Sequence, residues 1–381
     1  MRKMKLIALK DVCKINMGQS PNSSSYNDYG DGMPFFQGNA DFGERYPITR
    51  VWCNTPTKIA QAEDILISVR APIGALNYAK EECCIGRGLA AITPDRNKVS
   101  QDFIYWALKG KKAELNDKGN GSTFKAISRK ILEETMIPDI NFEQQHKCAE
   151  NLEKIYGIIQ NRRKELLALD DLIKARFVEM FGSPVSNPMS WEKRTLKEVC
   201  IKLNDGSHFS PESFETGDYK YVTAKNIKFS GFDFSNITYV PEAVHRPIFD
   251  RCNPEFEDVL YIKDGATTGV AIVNTLDEEF TLLSSVALLK QDRSIMNGYF
   301  LATLLNNKDM YLNIRNNMGG AAITRLTIAK LNAIEIIVPP IELQNQFAAF
   351  VADVDKSKVA VQKALDETQT LFDSLMQEYF G

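Results

Sequence analysis

From Phe142 to Phe181 the chain reads FEQQHKCAENLEKIYGIIQNRRKELLALDDLIKARFVEMF. The stretch holds no proline, and its only glycine is Gly157. Positions 148, 152, 155, 159, 162, 166, 169, 173, 176 and 180 alternate steps of four and three. They read Cys, Leu, Ile, Ile, Arg, Leu, Leu, Ile, Arg and Met. That is heptad spacing, which gathers these residues on one seam of a helix. Adding 199 to each number gives Phe, Val, Val, Lys, Val, Leu, Thr, Phe, Leu and Tyr, a second seam ending at Tyr379. Two related helices of about 40 residues are predicted, each roughly 60 Å long at 1.5 Å per residue. A lone helix of this kind is marginal in water and needs a partner. The other copy is the nearest one, and an antiparallel pair is the expectation. A helix lying against its own globule and a seam shared with a third protein are the alternatives.

Moving outward, the rest of the chain also repeats. Leu9-Lys10-Asp11-Val12-Cys13 returns as Leu196-Lys197-Glu198-Val199-Cys200, and Glu63-Asp64-Ile65-Leu66-Ile67 as Glu257-Asp258-Val259-Leu260-Tyr261. Ile137-Pro138 with Gln144-Gln145 returns as Val338-Pro339 with Gln344 and Gln346, and Phe181-Gly182 as Phe380-Gly381. A fixed long period marks duplicated units. Two copies suit one job done at two places related by a pseudo-twofold axis. Pro184 and Pro188 form a linker after the first helix. The expected segments are 1–140, 141–182, 183–340 and 341–381. Within the globules, Asp64–Val69 and Asp258–Ile262 read as buried strands, each followed by a glycine-bearing loop. Phe103–Leu108 and Tyr299–Leu305 read as helices. Glycine-rich corners follow, Gly119–Lys125 and Gly319–Arg325. Each sets a basic residue beside hydroxyls and glycines, as a phosphate cradle or a plain turn would.

A 381-residue chain with 44% hydrophobic and 25% charged residues fits two to four soluble domains. No run of 18 apolar residues suggests a membrane span, and the basic start has too short an apolar stretch for a signal peptide. Seven cysteines without a C-x-x-C pair suit reduced thiols of the cytoplasm. Three histidines, none in a metal-ligand spacing, argue against metal catalysis. The net charge of −3 is unevenly spread. Residues 1–140 carry 20 basic and 16 acidic side chains, whereas residues 341–381 carry 3 and 7. Lys98–Lys130 is locally basic, as is Tyr219–Ser230, with Lys220, Lys225 and Lys228 and no acid. Either patch is a solvated face or a surface that meets phosphate.

Catalytic motifs are missing. An adenine methyltransferase needs an [Asn/Asp]-Pro-Pro-[Tyr/Phe] loop. Val338-Pro339-Pro340-Ile341 offers neither the hydrogen-bonding first residue nor the aromatic last one. No G-x-x-x-x-G-K-[S/T] phosphate loop and no G-x-S-x-G elbow occur. Gly86-Arg87-Gly88 reads only as a short glycine pair. The chain is therefore expected to bind rather than catalyse.

The ordered set of motifs resembles the DNA-specificity subunit of type I restriction-modification systems, over nearly the whole length. The second half carries most of it: Leu203-Asn204-Asp205-Gly206-Ser207-His208 with Pro211, Tyr221–Ile227, Glu257-Asp258-Val259-Leu260, and Gly265–Gly269. In this chain Glu257 stands where that family's G-D-[IV]-L pattern has glycine. The first half has the looser opening Gly18-Gln19-Ser20-Pro21.

The resemblance implies an α+β architecture. Two globular mixed α/β target recognition domains would be separated by two long helices forming an antiparallel coiled coil, as a pseudo-twofold internal repeat. Each domain would read one half of a split site on double-stranded DNA. The helices would set the gap and dock two modification subunits. Those partners would hold S-adenosylmethionine and methylate adenine N6. Restriction subunits would add ATP- and Mg-dependent cleavage. No cofactor is expected in this chain. Recognition residues do not carry over by motif, because target domains vary widely. Side chains suited to base edges or phosphates are Gln37, Asn39, Arg70, His208, Lys225, Asn226, Lys263 and Thr267, with Lys125 and Arg325 as phosphate holders. A coiled-coil adaptor with two protein-binding heads, and the recognition part of a fused restriction enzyme, are the competing classes.

Overall fold

The computed structural model describes residues 5–120, 125–316 and 325–381. Parts of both glycine corners, Gly121–Phe124 and Gly319–Thr324, lie outside them. The chain forms two compact units, Met1–Arg163 with Lys363–Gly381, and Lys164–Gln362. Each unit takes part of both long helices.

Both units are built on the same four-stranded antiparallel sheet. In the first its order is Cys13–Met17, Leu89–Pro94, Ile65–Ser68, Leu76–Tyr78. In the second it is Cys200–Asp205, Val286–Gln291, Val259–Ile262, Ala271–Val273. Every residue of Ile65–Ser68 and of Val259–Ile262 is buried, so both sheet faces are covered. Strand side chains alternate between faces. In the second unit Val259 and Tyr261 join a helix-side core with Phe177, Phe300 and Phe347. Leu260 and Ile262 join a separate core with Val222, Phe280 and Leu282. A fully buried side chain of this size contributes about 1.5–3 kcal/mol.

The second core lies beneath a mixed sheet of shorter strands. In the first unit that sheet has five strands, ordered Tyr26–Asn27, Trp52–Cys53, Met33–Phe36, Cys83–Ile85, Ile59–Ala60. In the second it has three, Thr238–Val240, Tyr219–Val222 and Thr281–Leu282. The second unit also has a hairpin, Ile227–Lys228 with Gly231–Phe232, and the helix Glu242–Arg251.

The long helices run Phe142–Phe181 and Ile341–Phe380. A buried glutamine clips the start of each to the globule of its own unit. The Gln145 carboxamide accepts from the Ser100 N–H at 2.7 Å and donates to the Ile140 carbonyl at 2.8 Å. The Gln344 carboxamide accepts from the Asn297 N–H at 2.9 Å and donates to the Pro339 carbonyl at 2.7 Å. Ser100 and Asn297 cap the matching helices Gln101–Gly110 and Gly298–Asn306.

None of the twenty seam positions is exposed. In the first unit Asn151 meets Tyr379, Tyr156 meets Phe372, and Arg162 reaches the Ala364 carbonyl and Thr368. In the second, Asp170 pairs with Lys358 at 2.7 Å and Phe177 packs on Phe347. In both units numbers rise on one helix as they fall on the other, so the paired segments run antiparallel. Two of the polar breaks in the seam, Arg162 and Lys358, each meet a partner on the other helix. Each helix ends on a phenylalanine seated on a globule helix, Phe181 against Phe300 in the second unit and Phe380 against Phe103 in the first.

Candidate nucleic-acid interface

At one end of each main sheet a two-residue turn gathers the loops that carry the candidate side chains. In the first unit this is Gly86–Leu89, closed by the Leu89 N–H on the Gly86 carbonyl at 3.0 Å. The loop after Met33–Phe36 arrives through Gly86 N–H to Phe36 O (2.8 Å) and Gly88 N–H to Gln37 O (3.2 Å). The strand Ile65–Ser68 leaves through Val69 N–H to Gly88 O at 2.9 Å. The opening segment arrives through Gly18 N–H to Leu89 O at 2.9 Å. Arg70 is bridged to Ala126, and Ala71 N–H donates to Lys125 O at 3.1 Å. Gln37, Arg70, Arg87 and Lys125 are exposed on this rim, and Asn39 is half-buried.

The second unit repeats the scheme on Leu283–Val286, closed by Val286 N–H to Leu283 O at 2.9 Å. Ser284 N–H reaches Ser207 O at 2.9 Å, Lys263 N–H reaches Ser285 O at 2.9 Å, and Ala224 N–H reaches the Ser285 hydroxyl at 3.2 Å. Leu326 N–H donates to Lys263 O at 2.8 Å, as Ile127 N–H donates to Val69 O at 2.9 Å. Val69 therefore matches Lys263, and Arg87 matches Ser284. The bridges Arg70–Ala126 and Asp264–Arg325 make Ala126 the counterpart of Arg325. The two basic residues read from the glycine corners, Lys125 and Arg325, thus stand one position apart.

His208, Lys225, Thr267 and Arg325 are exposed. Lys263 is not: only 2% exposed, its ammonium lies 2.8 Å from Asp264 and 3.3 Å from buried Asp205. Asp205 also holds His208 at 3.1 Å and Arg251 at 3.5 Å, and Asp264 holds Arg325 at 3.3 Å. The buried lysine thus neutralises two carboxylates, each of which orients exposed basic groups. In the matching register the first unit has Met17 and Val69 in place of Asp205 and Lys263, and so no such network there.

Asn226 is 4% exposed. Its carboxamide oxygen accepts from the Thr223 N–H and hydroxyl, both at 3.0 Å, and its amide donates to the Asp233 carbonyl at 3.2 Å. Asp41 does the same in the first unit, accepting from the Gln37 N–H at 2.8 Å. Asn226 and Lys263 are therefore buried supports of the rim, their polar groups engaged by neighbouring residues.

Two residues absent from the sequence expectation belong to the rim. Arg315 donates to the Thr268 carbonyl at 2.8 Å and so braces the glycine loop carrying Thr267. Arg87 stands between two buried glycines, a signal that the reading of Gly86–Gly88 as a mere glycine pair passed over. Among the described residues no cluster of His, Cys, Asp and Glu could hold a metal, and no helix is long and apolar enough to cross a membrane.

The family model of the type I restriction modification DNA specificity domain matches residues 1–168 and 188–368. The chain belongs to this family. One relative, described as the MjaX specificity subunit of Methanocaldococcus jannaschii, is 47% identical over 152 residues, 40% of this chain and 36% of that relative's own length. The type I restriction enzyme MjaIX specificity subunit of the same organism is 24% identical over 97% of this chain and 90% of its own. The crystal structure of a type I restriction-modification S subunit from M. genitalium shares the fold, with a TM-score of 0.63 and 16% identity over 100% of this chain and 97% of that one.

Proposed function

We propose that this chain is the DNA-recognition subunit of a type I restriction-modification complex. The observation that carries the reading is the rim built twice, on one sheet topology, with exposed basic side chains on both copies. Each globular domain, about residues 1–140 and 183–340, reads one half of a bipartite site. Residues 141–182 and 341–381 form an antiparallel coiled coil that relates the two halves by a pseudo-twofold axis and sets the gap between half-sites. The same helices dock two adenine-N6 methyltransferase subunits, and restriction subunits join for cleavage. S-adenosylmethionine and ATP belong to those partners, and the complex works in the cytoplasm.

Gln37, Asn39, Arg70, Lys125, His208, Lys225, Thr267 and Arg325 supply the DNA-facing groups. Phosphate contacts fix position, and base contacts fix sequence. The test is to map N6-methyladenine in cells carrying the methyltransferase partner with and without this gene. A bipartite methylated motif should appear only with the gene, and the purified chain should transfer no methyl group. Methylation by the chain alone, or an unchanged methylation map, defeats the proposal. A protein-binding adaptor predicts the unchanged map.

A further inference from the structure

We infer that Arg87 is a specificity-determining residue of the first unit, its guanidinium donating to O6 and N7 of a guanine in the half-site that unit reads. The inference rests on the proposed DNA reading and deepens it by naming the base. Arg87 is exposed, and no hydrogen bond or ion pair of its guanidinium occurs among the described residues. Its backbone, by contrast, is held from several sides. Its own N–H donates to the Ser20 hydroxyl at 3.2 Å, and the same hydroxyl accepts from the Gln37 side chain at 3.1 Å. Gly86 and Gly88 on either side are fixed to Phe36 and Gln37 by the main-chain bonds described above.

The glycines are required by space. A Cβ on Gly18 would lie 2.2 Å from the Gly86 carbonyl oxygen, and one on Gly88 would lie 2.4 Å from the Gln37 carbonyl oxygen. At Gly86 a Cβ would come within 3.1 Å of both the Phe35 ring and the Gln37 Cα. Three backbone segments therefore approach as closely as chains can, and they hold one exposed guanidinium at their meeting point. A phosphate contact needs only a positive charge within reach, which Lys125 on its long stem supplies on the same rim. A fixed turn carrying a planar fork suits two acceptors on one base edge, the arrangement guanine presents in the major groove. The counterpart Ser284 has no fork, so the second unit lacks this reader at the matching place.

The experiment uses the assembled complex with its methyltransferase partner and compares wild type, Arg87→Lys and Arg87→Ala. The readouts are the methylated-site spectrum and DNA affinity at two salt concentrations. The expected wild-type half-site of the first unit contains one fixed guanine. Arg87→Ala should cut discrimination at that position by roughly 5- to 150-fold, the equivalent of about 1–3 kcal/mol. The other half-site should keep its letters. Arg87→Lys should retain most of the affinity and still lose discrimination, which a variant that merely misfolds does not do. A uniform loss of affinity for all sequences with a shallower salt dependence would identify a phosphate contact and overturn the inference. So would a wild-type spectrum retained by both variants. A wild-type complex without sequence-selective methylation would instead overturn the functional reading on which the inference stands.

Discussion

Glu63 and Glu257 sit at φ +69° and +68°, in the left-handed region where glycine is at home. Each is the third residue of a turn, Gln61–Asp64 and Glu255–Asp258, closed at 3.1 Å in both units. The geometry accounts for glycine in the related G-D-[IV]-L pattern: the strand that follows needs a turn with positive φ at this place. Glu63→Gly should relieve strain of about 1–2 kcal/mol while adding unfolded-state entropy of roughly 0.5–1 kcal/mol. A net gain of up to about 1.5 kcal/mol is expected in urea unfolding, and a loss would mean the glutamate contributes through contacts. Lys109 offers a second test. Its ammonium lies 3.5 Å from the Tyr156 ring centroid and 4.7 Å from that of Trp106. Burial, helped by nearby Lys112 and Arg163 and opposed by Glu153, lowers its pKa to about 8. The unfolded chain keeps an ordinary lysine near 10.4, so between about pH 8 and 10 it binds more protons than the native state. Stability should therefore rise with pH across that window, relative to Lys109→Met. A stability difference between the two proteins that stays flat from pH 7.5 to 10 would show that the rings hold the charged form. Residue type was legible at this scale and burial was not. Asn226 and Lys263 have side chains suited to DNA, but their partners Thr223, Asp205 and Asp264 could be identified only once strands and turns were in register.

Among the elements, the long helices were the most legible. Their seam is a local periodic signal, and Phe142–Phe181 carries no breaker strong enough to interrupt it. Glutamines near each helix start were visible as repeated residues, but the clip of Gln145 and Gln344 onto Ser100 and Asn297 depends on contacts 45 and 47 residues apart in sequence. The mixed sheets were not legible. Their strands are as short as two residues, as at Trp52–Cys53 and Thr281–Leu282, and two residues have no measurable alternation. The seam also yields a prediction about distance. A heptad inserted after Leu166, with a second after Leu365, keeps every seam residue in phase. Seven residues add about 10 Å of helix, or roughly three base pairs of B-DNA. In a complex that still methylates, the unspecified gap of the target should lengthen while both half-site sequences stay the same. An unchanged gap, or altered half-site letters, would contradict helices that act as a ruler.

At the scale of the whole molecule, the duplication was plain in the sequence and its division of labour was not. The repeat offset near 199 suggests two like halves, yet Met17 and Val69 stand where the second unit has Asp205 and Lys263. Each unit also takes part of both long helices. The first unit consists of Met1–Arg163 and Lys363–Gly381, whereas Lys164–Gln362 is continuous. That closure by Phe372, Tyr379 and Phe380 has a consequence for the order of events during synthesis. A ribosome adds about 5–20 residues per second. The continuous unit has all its residues as soon as Gln362 emerges. The unit that was begun first must wait, with the apolar faces of Phe103, Trp106 and Tyr156 uncovered, until Lys363–Gly381 arrives to seal them. Of the two units, the one begun first is therefore the second to be completed, and a nascent chain interrupted between the two segments leaves the core of that unit open.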